Sequence, residues 1–318
     1  MTDLTPTLPD LWQGRDDGPR LHQLVQCTEL SRLKRSHEAR AIAFVGFACD
    51  EGVKRNQGRL GAAEGPDAIR RAAANMPLHL HRKMEFYDVG TVRGIDGDLE
   101  RSQARLGEVI AHLHASNVLP IVFGGGHEVA FGHYQGIAKA RPDLSCAIVN
   151  FDAHFDLRPL LPQQKGSSGT SFLQIAEHCK SVGKDFSYTC LGIQEGSNTT
   201  ALFEQAKRLD VNYVMADAIH AQGSKACHKA IQNVLKNHDA VYVTLCMDVF
   251  AAAFAPGVSA PQPLGLYPMH VAPLIKELAQ SGKVIGFDIA ELSPKYDQGD
   301  MTARLAAAML FSFLWAYS

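Results

Sequence analysis

The chain has 318 residues, of which 46% are hydrophobic and 20% charged, with a formal net charge of −2. That balance suits a packed globule of one large or two ordinary domains and excludes wholesale disorder. It also excludes the basic field that draws a protein to nucleic acid or anionic lipid, and no apolar run reaches the roughly 20 residues that a membrane span needs.

Residues 1–39 are polar and carry Pro6, Pro9, Gly14, Gly18 and Pro19, so they read as an extension packed on the domain that follows. No charged segment leads into an apolar one there, which argues against a secretory leader. Strands are expected over 41–47, 84–89, 118–123, 147–151, 186–191, 211–215, 241–247 and 283–287. Helices are expected over 65–74, with Pro66 in its first turn, 99–115, 128–140, 199–208, 223–236, 270–281 and 302–317. Strands rich in Val, Ile and Phe that alternate with helices predict an α/β fold: a mostly parallel sheet of about eight strands, covered by helices on both faces. No repeat or linker divides 40–318, which reads as one domain. Seven cysteines without a CxxC pair suit reduced thiols and a cytoplasmic location.

Ligands of such sheets bind beyond the C-terminal strand ends, and four of these ends carry unusual residues. Strand 118–123 runs into Gly124-Gly125-Gly126-His127, where His127 can cap the next helix or serve as a ligand. Strand 147–151 runs into Asp152-Ala153-His154-Phe155-Asp156. Extended chain would put Asp152, His154 and Asp156 on one face. Two carboxylates and an imidazole converging on one point call for a cation, and the donor set suits Mn²⁺ or Zn²⁺. Strand 241–247 brings Cys246 and Asp248, readable as inert packing and a turn acid or as two further ligands, ahead of Ala255-Pro256-Gly257. Strand 283–287 leads to Glu291, which can cap a turn or grip a cationic group.

These ordered motifs, a Gly-Gly-x-His turn, Phe-Asp-Ala-His-x-Asp, an x-x-Asp strand end with Ala-Pro-Gly after it and a late Glu-x-x-Pro, resemble the ureohydrolase superfamily of arginases, agmatinases and formimidoylglutamases. The match runs from about Gly46 to Ala307. The resemblance implies a three-layer arginase-like fold and a pair of Mn²⁺ ions held by His127, Asp152, His154, Asp156 and Asp248. It implies Asp156, Glu291 and Ser168 as catalytic candidates, and a self-associating protein that acts on a small molecule. Two departures stand out. Cys246 occupies the place of a bridging aspartate, where a thiolate would alter one metal site and a thiol would leave it short of charge. Ser168 occupies the place of the histidine that shuttles protons in arginases and agmatinases.

Ser168 to Phe172, Arg158, Gly192-Ile193-Gln194 with Ser197-Asn198-Thr199, and the early Trp12-x-Gly14-Arg15 resemble the formimidoylglutamase branch. That branch hydrolyses N-formimidoyl-L-glutamate to L-glutamate and formamide in histidine degradation, by attack of metal-activated hydroxide on the amidine carbon. Such a substrate pairs a flat amidinium, which Glu291 can take through two N–H bonds, with two carboxylates. Arg158 is the first candidate for a carboxylate, although its position before Pro159 also suits a surface residue; Arg59, Asn56, Gln194 and Asn198 are the further substrate-binding candidates. The alternatives are a hydrolase of another guanidino or amidino acid, or a metal-poor relative that binds without catalysing.

Overall fold

The computed structural model describes residues 4–33 and 39–318; positions 1–3 and 34–38 of the expected extension lie outside the described residues. In chain order the elements are β1 (Leu4–Thr5), α1 (Leu21–Leu24), β2 (Val25–Cys27), β3 (Arg40–Ala48), α2 (Glu51–Arg55), α3 (Gly65–Ala74), β4 (Met84–Arg93), α4 (Leu99–Ala115), β5 (Leu119–Phe123) and α5 (Val129–Ala140). There follow β6 (Cys146–Phe151), α6 (Ser171–Ser181), β7 (Tyr188–Ile193), α7 (Thr200–Arg208), β8 (Asn212–Met215), α8 (Ala216–Gln222), α9 (Lys225–Asn237), β9 (Ala240–Cys246), α10 (Pro268–Gln280), β10 (Val284–Ala290) and α11 (Met301–Tyr317).

All the strands join one sheet in the order β1-β4-β3-β5-β10-β9-β6-β7-β8, with β2 also on β4. Only the β1–β4 pairing is antiparallel. The sheet therefore has ten strands rather than eight. The two additions, β1 and β2, come from the N-terminal stretch, where runs of two and three residues are too short to show a period. Helix α6 is an addition to the expected helices, masked in the sequence by the Gly/Ser-rich run before it. Its Phe172, Ile175, Ala176 and Cys179 nevertheless keep helical spacing and are buried.

Alternation along the strands makes the three layers. On one face Ile42, Phe44, Ile121, Phe123, Val149, Phe151, Val243, Leu245, Phe287 and Ile289 pack with α3, α8, α9, α10 and α11. On the other Ala43, Val45, Val122, Ile148 and Tyr242 pack with α4, α5, α6 and α7.

Asp88 on β4 ties the N-terminal stretch to this frame. Its carboxylate accepts from Thr7 Oγ1 at 2.6 Å, Trp12 Nε1 at 2.8 Å and Arg70 Nε at 2.7 Å. Arg70 and Asp88 are both fully shielded from solvent, and Trp12 stacks on Phe44.

Register sets the functional rim. Phe123 pairs with Ile289, Ile289 with Leu245, and Leu245 with Phe151. One row of residues thus crosses β5, β10, β9 and β6, and the residues just past it on all four strands emerge side by side.

Candidate metal centre and substrate cavity

Past that row lie His127, Glu291, Cys246, Asp248, Asp152, His154 and Asp156. The Asp-x-His-x-Asp run does not converge as extended chain would. The strand stops at Phe151, the chain bends at Ala153 and His154, and Asp156 sits at φ 49° in the left-handed region. The bend sends Asp156 and His154 to opposite sides of Asp152. On one side His127 Nδ1 lies 2.9 Å from Asp152 Oδ2 and 3.0 Å from Asp156 Oδ2. On the other, His154 Nδ1 lies 3.4 Å from Asp152 Oδ1 and 3.2 Å from Asp248 Oδ2. Two groups of donors result, His127/Asp152/Cys246 and Asp152/His154/Asp248, each with its atoms within 4.8 Å of one another, and Asp152 belongs to both.

The surroundings orient these side chains. Asp152 takes the Asn150 amide at 3.1 Å and the His154 backbone N–H at 2.7 Å. His127 Nε2 lies 3.0 Å from Thr244 Oγ1, and Gln262 reaches within 3.4 Å of His154 Nε2. Cys246 Sγ is 2.9 Å from Asp248 Oδ1. Glu291, at φ 68°, accepts the His127 backbone N–H at 2.9 Å and is itself held by Gly125 O at 2.8 Å. Asp156 and Glu291, both in the left-handed region, are held there by their surroundings rather than by local preference.

Charge in the cluster is unbalanced. Burial pulls the His127 and His154 imidazoles toward neutrality, but their carboxylate neighbours outweigh it and raise both well above the ordinary histidine value. Burial pushes Asp152 upward, and the two imidazoles reverse that and hold it below the usual carboxylate range. Burial raises Asp156, Asp248 and Glu291, with neighbouring carboxylates adding to it. Burial also raises the Cys246 thiol, reinforced by Asp152 and Asp248. The cluster favours whatever brings positive charge into it. A divalent ion fits on geometry too. His127 Nδ1 is buried and faces two carboxylate oxygens without a well-aligned hydrogen bond; when Thr244 accepts Nε2–H from a neutral ring, Nδ1 is unprotonated and that arrangement is repulsive unless a cation lies between.

Above the cluster is a cavity of about 290 Å³ whose wall includes Asn56, Arg59, Arg158, Ser168 and Glu291. Ser197, part of the Ser197-Asn198-Thr199 run, lines it as well, as do Leu202 and Ser259, which as an apolar and a small residue carry no signal of a site in the sequence. Among the described residues no hydrogen bond or ion pair engages the Arg158 guanidinium or the Ser168 hydroxyl, and Arg158 is exposed at the rim. Arg59 is partly spent: it donates to Ser259 O at 2.9 Å and Val258 O at 2.6 Å and stacks over Tyr296. Gln194 and Asn198 do not line the cavity, contrary to expectation. Asn198 uses its amide on the ligand loop, donating to Ala153 O at 2.9 Å and Gln194 O at 2.8 Å and accepting from Phe155 N at 3.0 Å. Its place is under the bend that separates Asp152, His154 and Asp156.

Among the described residues, no helix is long and apolar enough to cross a membrane. Residues 40–315 match the model of the arginase family. The formimidoylglutamase of Clostridium tetani is 43% identical, over 97% of this chain and 95% of its own length. The crystal structure of formimidoylglutamase from Bacillus subtilis superposes with a TM-score of 0.79 at 25% identity, covering 91% of each chain. Formiminoglutamase of Trypanosoma cruzi, solved with Mn²⁺, superposes with a TM-score of 0.81 at 24% identity over 95% of this chain and 99% of its own, a likeness of fold.

Proposed function

The chain belongs to the arginase family, and from that premise we propose that it hydrolyses N-formimidoyl-L-glutamate to L-glutamate and formamide in histidine degradation. The observation that carries this reading is the sharing of Asp152 by two donor groups on the floor of a cavity whose rim leaves Arg158 unpaired. The near full-length likeness to a formimidoylglutamase supports the same substrate.

His127, Asp152 and Asp156, with Cys246 beside them, would hold one Mn²⁺; Asp152, His154 and Asp248 would hold the other. When bound, such a pair makes hydroxide available at neutral pH and offsets negative charge that develops during attack. The protein's own groups do the rest. Glu291 has one oxygen fixed by the His127 backbone, and its other oxygen serves the formimidoyl N–H groups, presenting the carbon to attack. Arg158, with Asn56 nearby on the same wall, takes a carboxylate of the glutamyl portion. Hydroxide adds to the formimidoyl carbon, the bond from that carbon to the glutamyl nitrogen breaks, and that nitrogen takes up the proton that water lost on becoming hydroxide, which leaves formamide and the amino group of glutamate. Ser168 places its unengaged hydroxyl on the wall where that proton must be handed on.

The test is turnover of N-formimidoyl-L-glutamate by Mn²⁺-loaded protein, with formamide and glutamate as products. Release of urea from a guanidino acid instead would move the substrate elsewhere in the family. Full turnover after exhaustive chelation would remove the mechanism.

A further inference from the structure

Directly after His127 stands a carboxyl that the chemistry above does not use. Glu128 is fully buried and lies outside the cavity lining. Its Oε1 accepts the backbone N–H of Gly52 at 2.8 Å, whereas Oε2 has no hydrogen-bond partner. Two glycines clear its place. A Cβ on Gly52 would sit 2.5–2.8 Å from the carboxyl, and one on Gly126 would collide with Oε2.

Gly52 sits in the first turn of α2, and the residues after that helix, Asn56, Gln57, Gly58 and Arg59, form one wall of the cavity. Several ties hold the wall. Asp50 Oδ2 accepts Gly61 N–H at 2.8 Å, Arg59 is held by the Val258 and Ser259 carbonyls, Arg55 reaches Glu100 at 2.7 Å and Gly166 O at 3.1 Å, and Glu128 holds Gly52. Of these side-chain ties, the Glu128 one starts from the turn that presents His127, beside the backbone bond from Gly126 N–H to Cys49 O at 3.0 Å. We propose that Glu128 is a positioning residue for substrate, fixing the distance between the Asn56–Arg59 wall and the metal-ligand turn. The proposal rests on the reading of this cavity as the substrate site. A carboxyl there, rather than an apolar side chain, is explained because the Gly52 N–H would otherwise be buried without a partner.

The test compares Glu128→Ala with Glu128→Gln in the full-length, Mn²⁺-loaded protein. The alanine variant should exchange the amides of residues 51–59 faster than wild type. It should also raise KM for N-formimidoyl-L-glutamate about tenfold, the effect of losing one buried hydrogen bond, with kcat and bound Mn²⁺ near wild type. Glutamine keeps the acceptor and should restore both exchange and KM. Unchanged exchange in Glu128→Ala overturns the proposal. So does a fall in bound Mn²⁺ that accounts for the kinetic change, since Glu128 would then act through His127. If wild type fails to turn over this substrate, the functional reading falls, while the exchange data still decide whether Glu128 holds the wall.

Discussion

Thr244 and His127 face each other across β9 and the β5 turn, with the threonine hydroxyl 3.0 Å from the ring Nε2. This contact leaves Nδ1 as the atom aimed at Asp152 and Asp156. Thr244→Val keeps the shape and removes the hydroxyl, so the ring loses its fixed tautomer and orientation. Loss of such a partner typically weakens a metal site by about 10- to 100-fold. Mn²⁺ titration of the variant should show that loss in one of two binding steps, and two unchanged steps would remove Thr244 from any role in ligation.

Arg158 is the cation at the cavity rim that no described group engages. Arg158→Ala should raise KM for a substrate with carboxylates by roughly tenfold to a hundredfold, the range for a charge-assisted hydrogen bond. Its kcat and metal content should stay near wild type. If KM does not move, Arg158 is a surface residue and the carboxylate is held elsewhere, with Asn56 next to be examined.

How far the sequence carried is clearest at the strand ends. Apolar runs of five to nine residues fixed β3, β5, β6, β9 and β10, and the chemistry at their C-terminal ends needed only the rule that such sheets bind ligands there. The division of Asp152, His154 and Asp156 into two donor groups was not legible. It depends on a left-handed Asp156 and on the Asn198 amide beneath the bend, and neither has a period or composition to read. Thr244 and Gln262 are not legible for a related reason: a hydroxyl or amide inside a strand or loop becomes the partner of a histidine only through the sheet register and loop packing. β1 and β2 belong to a stretch anchored on Asp88, which takes Thr7 and Trp12 across 81 and 76 residues, a reach that short-range patterns do not encode.

That anchor makes its own prediction. Removing Asp88 leaves the buried Arg70 with Asp67, at 3.1 Å, as its remaining carboxylate partner and strips Thr7 and Trp12 of their acceptor; breaking such a buried pair costs up to roughly 3–5 kcal/mol. Asp88→Ala should shift the denaturation midpoint strongly, and the double variant Asp88→Leu/Arg70→Met should lose less than Asp88→Ala alone. If the double variant is as unstable as the sum of the singles, the two residues act independently and the anchor is misassigned.

His114 should shape the acid limb of stability. Burial, then the neighbouring His133 and Arg141, lowers its pKa from 6.5 to about 3. The native state therefore keeps the ring neutral, while the unfolded chain takes up a proton as pH falls through 6.5. Stability from this group is fully present above 6.5 and is lost progressively as pH falls toward about 3. His114→Gln carries no titrating ring, so unfolding free energy measured against pH should fall less steeply in the variant below 6.5. Parallel curves would show that His114 titrates alike in both states.

Cys246 closes the donor set from β9, buried and facing Asp248 Oδ1 at 2.9 Å, in the place where the family resemblance leads one to expect a bridging carboxylate. Asp152 is then the one carboxylate shared by both donor groups. A thiol contributes neither charge nor a hard oxygen, and a thiolate must form where burial and two carboxylates oppose it. One of the two Mn²⁺ ions should accordingly be held more weakly than the other. Cys246→Asp supplies a second carboxylate beside both donor groups, and titration under reducing conditions should show the weaker binding step tightening toward the stronger. Oxidation of wild type should act in the opposite direction, adding bulk at Sγ and lowering Mn²⁺ occupancy, while Cys246→Asp should be insensitive to the same oxidant. Equal stoichiometry and affinity in wild type and variant, before and after oxidant, would mean that the thiol only fills space and that the remaining donors hold both ions.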